Sequence, residues 1–200
     1  MKIPGLVLVV SLLSGSAAVA QEAPPAKPAD DFDLLPPEKP PDAAALARQD
    51  ALSGSLSRRR KLLELHQIGG LTTLVAMAGT VILGQLNYAD KYGGGGDTGR
   101  FRTAHQIFAY STAGVFAATG LFALLAPSPF EKPLRLDTAT LHKTAMIVAT
   151  AGMVTQIVLG IASSRAEGRL AQRDWALAHQ IVGYTTFAAT AAGFVVLSFP

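Results

Sequence analysis

Four long stretches of this chain carry almost no charge, and short polar segments separate them. From Leu65 to Leu86 the only residues that are neither apolar nor small are His66, Gln67 and Gln85; comparable runs occupy Thr103 to Ala126, Thr138 to Ala162 and Trp175 to Phe199. Each run is about 22 to 25 residues, enough for an α-helix to cross a hydrocarbon core of roughly 30 Å with some tilt. A water-soluble bundle would need a charged stripe repeating about every 3.6 residues along each helix. No run contains one. The pattern predicts an all-α membrane protein, an antiparallel four-helix transmembrane bundle with helices at about 62–88, 103–126, 138–163 and 175–199.

The helices fall into two similar pairs. Ala104-His105-Gln106-Ile107 matches Ala178-His179-Gln180-Ile181, with Tyr110 matching Tyr184 and Thr112 matching Thr186. In the odd helices Leu65-His66 aligns with Leu141-His142, Met77 with Met153, and Val81-Ile82-Leu83-Gly84 with Ile157-Val158-Leu159-Gly160. The offset is 76 residues for the odd helices and 74 for the even ones. A duplicated helical hairpin with pseudo-twofold symmetry is the expected origin of the bundle.

The chain has four histidines, and each stands near the start of one apolar run. Successive membrane helices alternate in direction, so His66 and His142 are expected at one membrane face and His105 and His179 at the other. A bundle of four antiparallel helices puts alternate helices on its diagonals, with room between them for a flat macrocycle. Paired imidazoles are a common axial set for haem iron, and intramembrane histidines are rare and usually functional. Two non-covalent b-type haems are therefore expected, one held by His66 and His142 and one by His105 and His179. Those four residues are also the expected metal ligands. Gly84 and Gly160 each follow the histidine of their own helix by 18 residues, five full turns and roughly 27 Å. They are expected to face the interior at the level of the opposite pair, where a side chain would collide with a cofactor. Arg102, just before His105, and Lys143, just after His142, are the expected partners for haem propionates.

Composition narrows the chemistry. Half the residues are hydrophobic and 16% are charged, below the roughly 25% of soluble domains. The net charge of +3 comes from cations flanking the apolar runs, as is normal for membrane helices, so no nucleic-acid partner is expected. With no cysteine in the chain there is no thiolate metal site and no covalent haem attachment. Residues 1–20 have the form of a signal peptide, with Lys2 before an apolar stretch and Ala18-Val19-Ala20 at the expected cleavage point. Residues 21–57 are expected to be a Pro/Ala-rich disordered periplasmic leader, within which 42–56 has the composition of a short amphipathic helix, and 58–200 the transmembrane haem-binding domain. These features predict a multi-pass protein of the bacterial inner membrane with both termini periplasmic.

The histidine register, the glycines and Leu141-His142 together resemble the cytochrome b561 family over His66 to about Leu197. The resemblance implies a dihaem transmembrane core in which alternate helices share a haem, His66 with His142 and His105 with His179, and electron transfer across the membrane. Many members place Pro after the first ligand, where this chain has Gln67, and eukaryotic members add a helix on each side of the core. A bacterial-type leader points away from ascorbate and toward a quinone or small reductant on one side and a periplasmic redox protein on the other. The expected function is a dihaem b-type cytochrome, a transmembrane oxidoreductase or electron-transfer subunit. The alternative is a non-catalytic membrane scaffold, or a haem sensor within a larger complex.

Overall fold

The computed structural model describes residues 42–129 and 135–198, so the expected signal peptide at 1–20 and residues 21–41 of the expected leader lie outside the described part. Four helices follow in chain order: α1 (Ala43–Tyr92), α2 (Arg102–Leu125), α3 (Thr138–Arg165) and α4 (Gln172–Ser198). All four are long and apolar enough to cross a membrane. Capping starts two of them. The Asp42 carboxylate accepts from the Ala44 N–H at 3.2 Å, and that of Asp137 from the Thr140 N–H at 2.8 Å, supplying acceptors for N–H groups that lack intrahelical partners.

α1 differs from expectation at its start. It begins at Ala43 and runs without a break through Arg58-Arg59-Arg60-Lys61, so the helix expected at 42–56 within the leader is present but is continuous with the first span rather than a short separate one. The segment is rich in Ala and Leu and contains no proline to stop it. At about 1.5 Å per residue its 50 residues extend roughly 75 Å, more than twice the hydrocarbon thickness. Arg59 braces this stem by donating from Nη1 to the Pro127 carbonyl at 2.6 Å, just beyond the end of α2.

The hairpins α1–α2 and α3–α4 are each closely packed, and α1 against α4 joins them. This order leaves α1 with α3 and α2 with α4 as the diagonals. The interior is built from small and hydroxyl-bearing residues: Thr73, Met77, Thr112, Thr119, Ala149, Thr186 and Thr190 are buried. Large apolar side chains point outward instead, with Val75 65%, Ile147 70% and Leu124 82% exposed. This reverses the usual distribution in soluble bundles, and it gives the bundle a surface suited to lipid. Polar groups are satisfied locally. Thr72, Thr80, Thr119, Thr150, Thr155 and Thr190, among others, each donate to the carbonyl four residues back, so their hydroxyls cost little in a medium without water.

The loop between α1 and α2, which its run of Gly93 to Gly96 suggests is a flexible connection, is instead organised around Asp90. That carboxylate is 5% exposed and accepts from Thr98 Oγ1 and the Gly99 N–H, both at 2.9 Å. The glycines serve the turn itself: Gly94, Gly96 and Gly99 have φ of 87°, 89° and 71°, a region costly for other residues.

Paired histidines as a candidate cofactor site

Each histidine reaches across to the neighbouring helix of its own hairpin. His66 Nδ1 bonds the Thr119 carbonyl at 2.9 Å and His142 Nδ1 the Gly193 carbonyl at 2.9 Å; His105 Nδ1 bonds the Thr80 carbonyl at 3.1 Å and His179 Nδ1 the Gln156 carbonyl at 3.0 Å. A carbonyl can only accept, so all four Nδ1 atoms carry the proton. Nε2 is then the nitrogen with the free lone pair. The acceptors obey the duplication: Thr80 and Gln156 are 76 residues apart, and Thr119 and Gly193 are 74 apart, the same offsets as the helices that carry them.

Across the pseudo-twofold axis the rings come together as depth predicts. The imidazoles of His66 and His142 have centroids 6.0 Å apart and planes at 86°; those of His105 and His179 are 6.1 Å apart at 85°. A metal ion bonded to two facing Nε2 atoms at roughly 2 Å each would set the ring centroids about 6 Å apart. Among the described residues no group of three or more His, Cys, Asp or Glu could hold a metal ion. Each pair therefore offers two protein ligands, and an ion there would have to bring its remaining coordination with it.

The glycines explain how the rings fit. A Cβ on Gly84 would lie 2.9 Å from Cε1 of His105, and one on Gly160 would lie 3.3 Å from Cε1 of His179. Both glycines are at the level of the opposite pair, as their 18-residue spacing implies, and the group pressed against each is the imidazole itself. Gly84 stands four residues after Thr80 and Gly160 four after Gln156, so each is the residue whose N–H shares the accepting carbonyl in the helix. Without a side chain there, the carbonyl stays open to a second donor from the side. Sequence spacing located these glycines but not this function, because the contact is between helices. Gly193 Cβ would meet Met146 Sδ at 3.1 Å and His142 Nδ1 at 3.5 Å, whereas Gly120 faces open space.

A cavity of about 720 Å³ surrounds the His105–His179 pair and reaches Met77 and Met153 in the middle of the bundle. Its size lies within the usual range for cofactor sites. Arg102 lines it, held by Glu167 of the α3–α4 loop through two parallel hydrogen bonds at 2.7 and 2.8 Å. Lys91 stands 3.7 Å from the same carboxylate. Arg102's hydrogen bond and charge hold the Glu167 carboxyl below the usual carboxylate range. Two buried polar atoms lining the cavity have no hydrogen-bond partner: the Tyr92 hydroxyl and Gln156 Oε1. On the α1–α4 side Gln85 accepts from both Gln180 and Tyr184, closing that seam with a polar latch. Lys143, at the other end, is exposed beside His142. Glu167, Tyr92 and the latch were not singled out as a set from the sequence, because nothing in their spacing shows that they meet. Comparison with family models, curated proteins and solved structures returns no match.

Proposed function

We propose that each histidine pair holds one non-covalent b-type haem and that the protein carries electrons across the membrane between a quinol or small reductant and a redox partner on the opposite side. The observation that carries this reading is the geometry of the two pairs: equivalent histidines across the symmetry axis, proton on Nδ1, rings perpendicular and about 6 Å apart. His66 with His142 and His105 with His179 would hold the two haems, and a bound haem would supply reversible one-electron exchange.

The chain's own residues orient and insulate. Backbone carbonyls at Thr80, Thr119, Gln156 and Gly193 fix the tautomer and ring direction, as outer partners of metal-bound histidines generally do. Gly84 and Gly160 admit the imidazoles of the even helices. Thr73, Met77, Thr112, Ala149 and Thr186 are buried between the two levels, with Met77, Thr112 and Thr186 at the inner end of the cavity. The levels are separated on α2 by the 14 residues from His105 to Thr119, roughly 21 Å. Arg102, in the lining of the His105-end cavity, would receive a propionate of that haem, and Lys143, next to His142 in sequence, would serve the other. In this reading the chain is an inner-membrane cytochrome of the b561 type.

Vesicles containing the protein, with a trapped ferric acceptor and a quinol added outside, test transmembrane transfer directly. Reduction of the trapped acceptor by wild type, and its loss in both His142→Ala and His179→Ala, is the expected result. Equal rates in vesicles lacking the protein, or full haem loading without transfer, would favour a scaffold or sensor instead.

A further inference from the structure

At the His105 end of the cavity, Lys91 and Arg102 from the first hairpin meet the Glu167 carboxylate from the second, the Tyr92 hydroxyl lies in the same wall, and Asp97 of the α1–α2 loop stands 3.7 Å from Lys91. Lys91 and Tyr92 end α1, and Arg102 opens α2. Glu167 belongs to the loop between α3 and α4. Lys91 and Glu167 are 76 residues apart, so they occupy equivalent positions in the two repeats and face each other across the symmetry axis with opposite charge. Arg102 grips Glu167 with both arms of its guanidinium, the geometry by which arginine recognises carboxylates generally. The Tyr92 hydroxyl, buried in the wall of the same cavity, has no partner.

Two features mark this as a site for an outside carboxylate rather than a structural tie. The Arg102 and Glu167 side chains are 47% and 45% exposed, and pairs exposed to that degree add little to stability, so exchanging one carboxylate for another is cheap. The Tyr92 hydroxyl, in the wall of the same cavity, is also left without a partner in a buried position, where such a group is costly. We propose that Lys91, Tyr92 and Arg102 form a carboxylate-binding seat at the mouth of the cavity, and that Glu167 is its internal occupant, displaced when a ligand carboxylate enters. This rests on the haem reading only for one source of that carboxylate, a propionate of the haem at the His105 end; the other source is a diffusible carboxylate. A carboxylate tethered to a group already held in the cavity competes at high effective concentration against a loop residue.

The seat is tested by adding haem, or haem with both propionates esterified, to full-length apoprotein carrying His142→Ala, so that only the His105–His179 pair remains intact. The variants Glu167→Gln, Arg102→Gln and Tyr92→Phe are compared in that background. For a propionate source, Glu167→Gln tightens haem binding by up to about fivefold, the most that an exposed competing pair can withhold. Arg102→Gln and Tyr92→Phe weaken it, and none of the three changes affinity for the ester. For a diffusible source, haem and ester behave alike throughout. Malonate then changes the fluorescence of Trp175, the chain's single tryptophan, in wild type and at lower concentration in Glu167→Gln, and has no effect in Arg102→Gln. Variants indistinguishable from the parent toward haem, ester and malonate would overturn the seat. A wild-type chain that takes up no haem would overturn the cofactor reading instead, and malonate binding would then decide the seat alone.

Discussion

Each histidine divides its two nitrogens between fold and chemistry. Nδ1 is committed to a backbone carbonyl on the adjacent helix, and Nε2 is what remains for a ligand. The arrangement depends on close approach, and the glycines can be ranked by it. Gly84→Ala places a methyl 2.9 Å from the His105 ring, whereas Gly160→Ala places one 3.3 Å from the His179 ring. Overpacking costs about 1–3 kcal/mol where neighbours must shift. Gly84→Ala is therefore expected to lower haem occupancy at the His105 end more than Gly160→Ala, measured as haem per protein at limiting haem. Equal effects would show that the approach does not control the ring. Glu167 has a pH signature. Its folded-state pKa is depressed by Arg102's hydrogen bond, so the contribution of the Arg102–Glu167 pair is fully present above the ordinary glutamate value, near about 4.3, and is lost as pH falls through the lower folded-state value. The melting temperature of wild type should exceed that of Glu167→Gln near neutrality by no more than the small amount an exposed pair supplies, and that difference should shrink on acidification. A difference independent of pH would contradict this.

At the scale of elements, the four spans were legible because length and absence of charge are sufficient evidence for a membrane helix, and the observed helices contain the expected runs almost end to end. The level of the histidines was legible too, since strict alternation of direction fixes depth without knowledge of packing. Two things were not. The helix at 43–57 was expected as a short separate one because its composition is polar for a span, yet nothing between it and the first span breaks the helix, and the two join. The loop after α1 reads as flexible because of its glycines, yet Asp90, hidden within an apolar-looking helix end, collects the groups that order it. Asp90→Ala should remove that centre and leave the Thr98 hydroxyl and Gly99 N–H without their acceptor. A loss of about 1–3 kcal/mol is expected, read by thermal melting together with faster proteolysis of the α1–α2 loop. Unchanged melting and unchanged cleavage would show that the loop is held by other means.

For the molecule as a whole, the duplication organises more than the helices. Equivalent residues meet along one axis: His66 with His142, His105 with His179, and Lys91 with Glu167. The bundle is apolar outside and has small and hydroxyl-bearing residues inside, opposite to a soluble four-helix protein, and the cavity at the His105 end is bounded by all four helices. The pairing across the diagonals was readable from histidine register. The Arg102–Glu167 pair at one end was not, nor were the partners that Gln85 finds at the α1–α4 seam, because these are side chains that only the packed hairpins bring within reach. The central claim, that the two pairs hold two haems, is tested most directly by a reduced-minus-oxidised absorption spectrum of the purified protein, with haem quantified against protein. Two non-covalent b-type haems per chain, low-spin in both redox states, are the predicted result. A protein that folds with ample haem supply and carries none would contradict it.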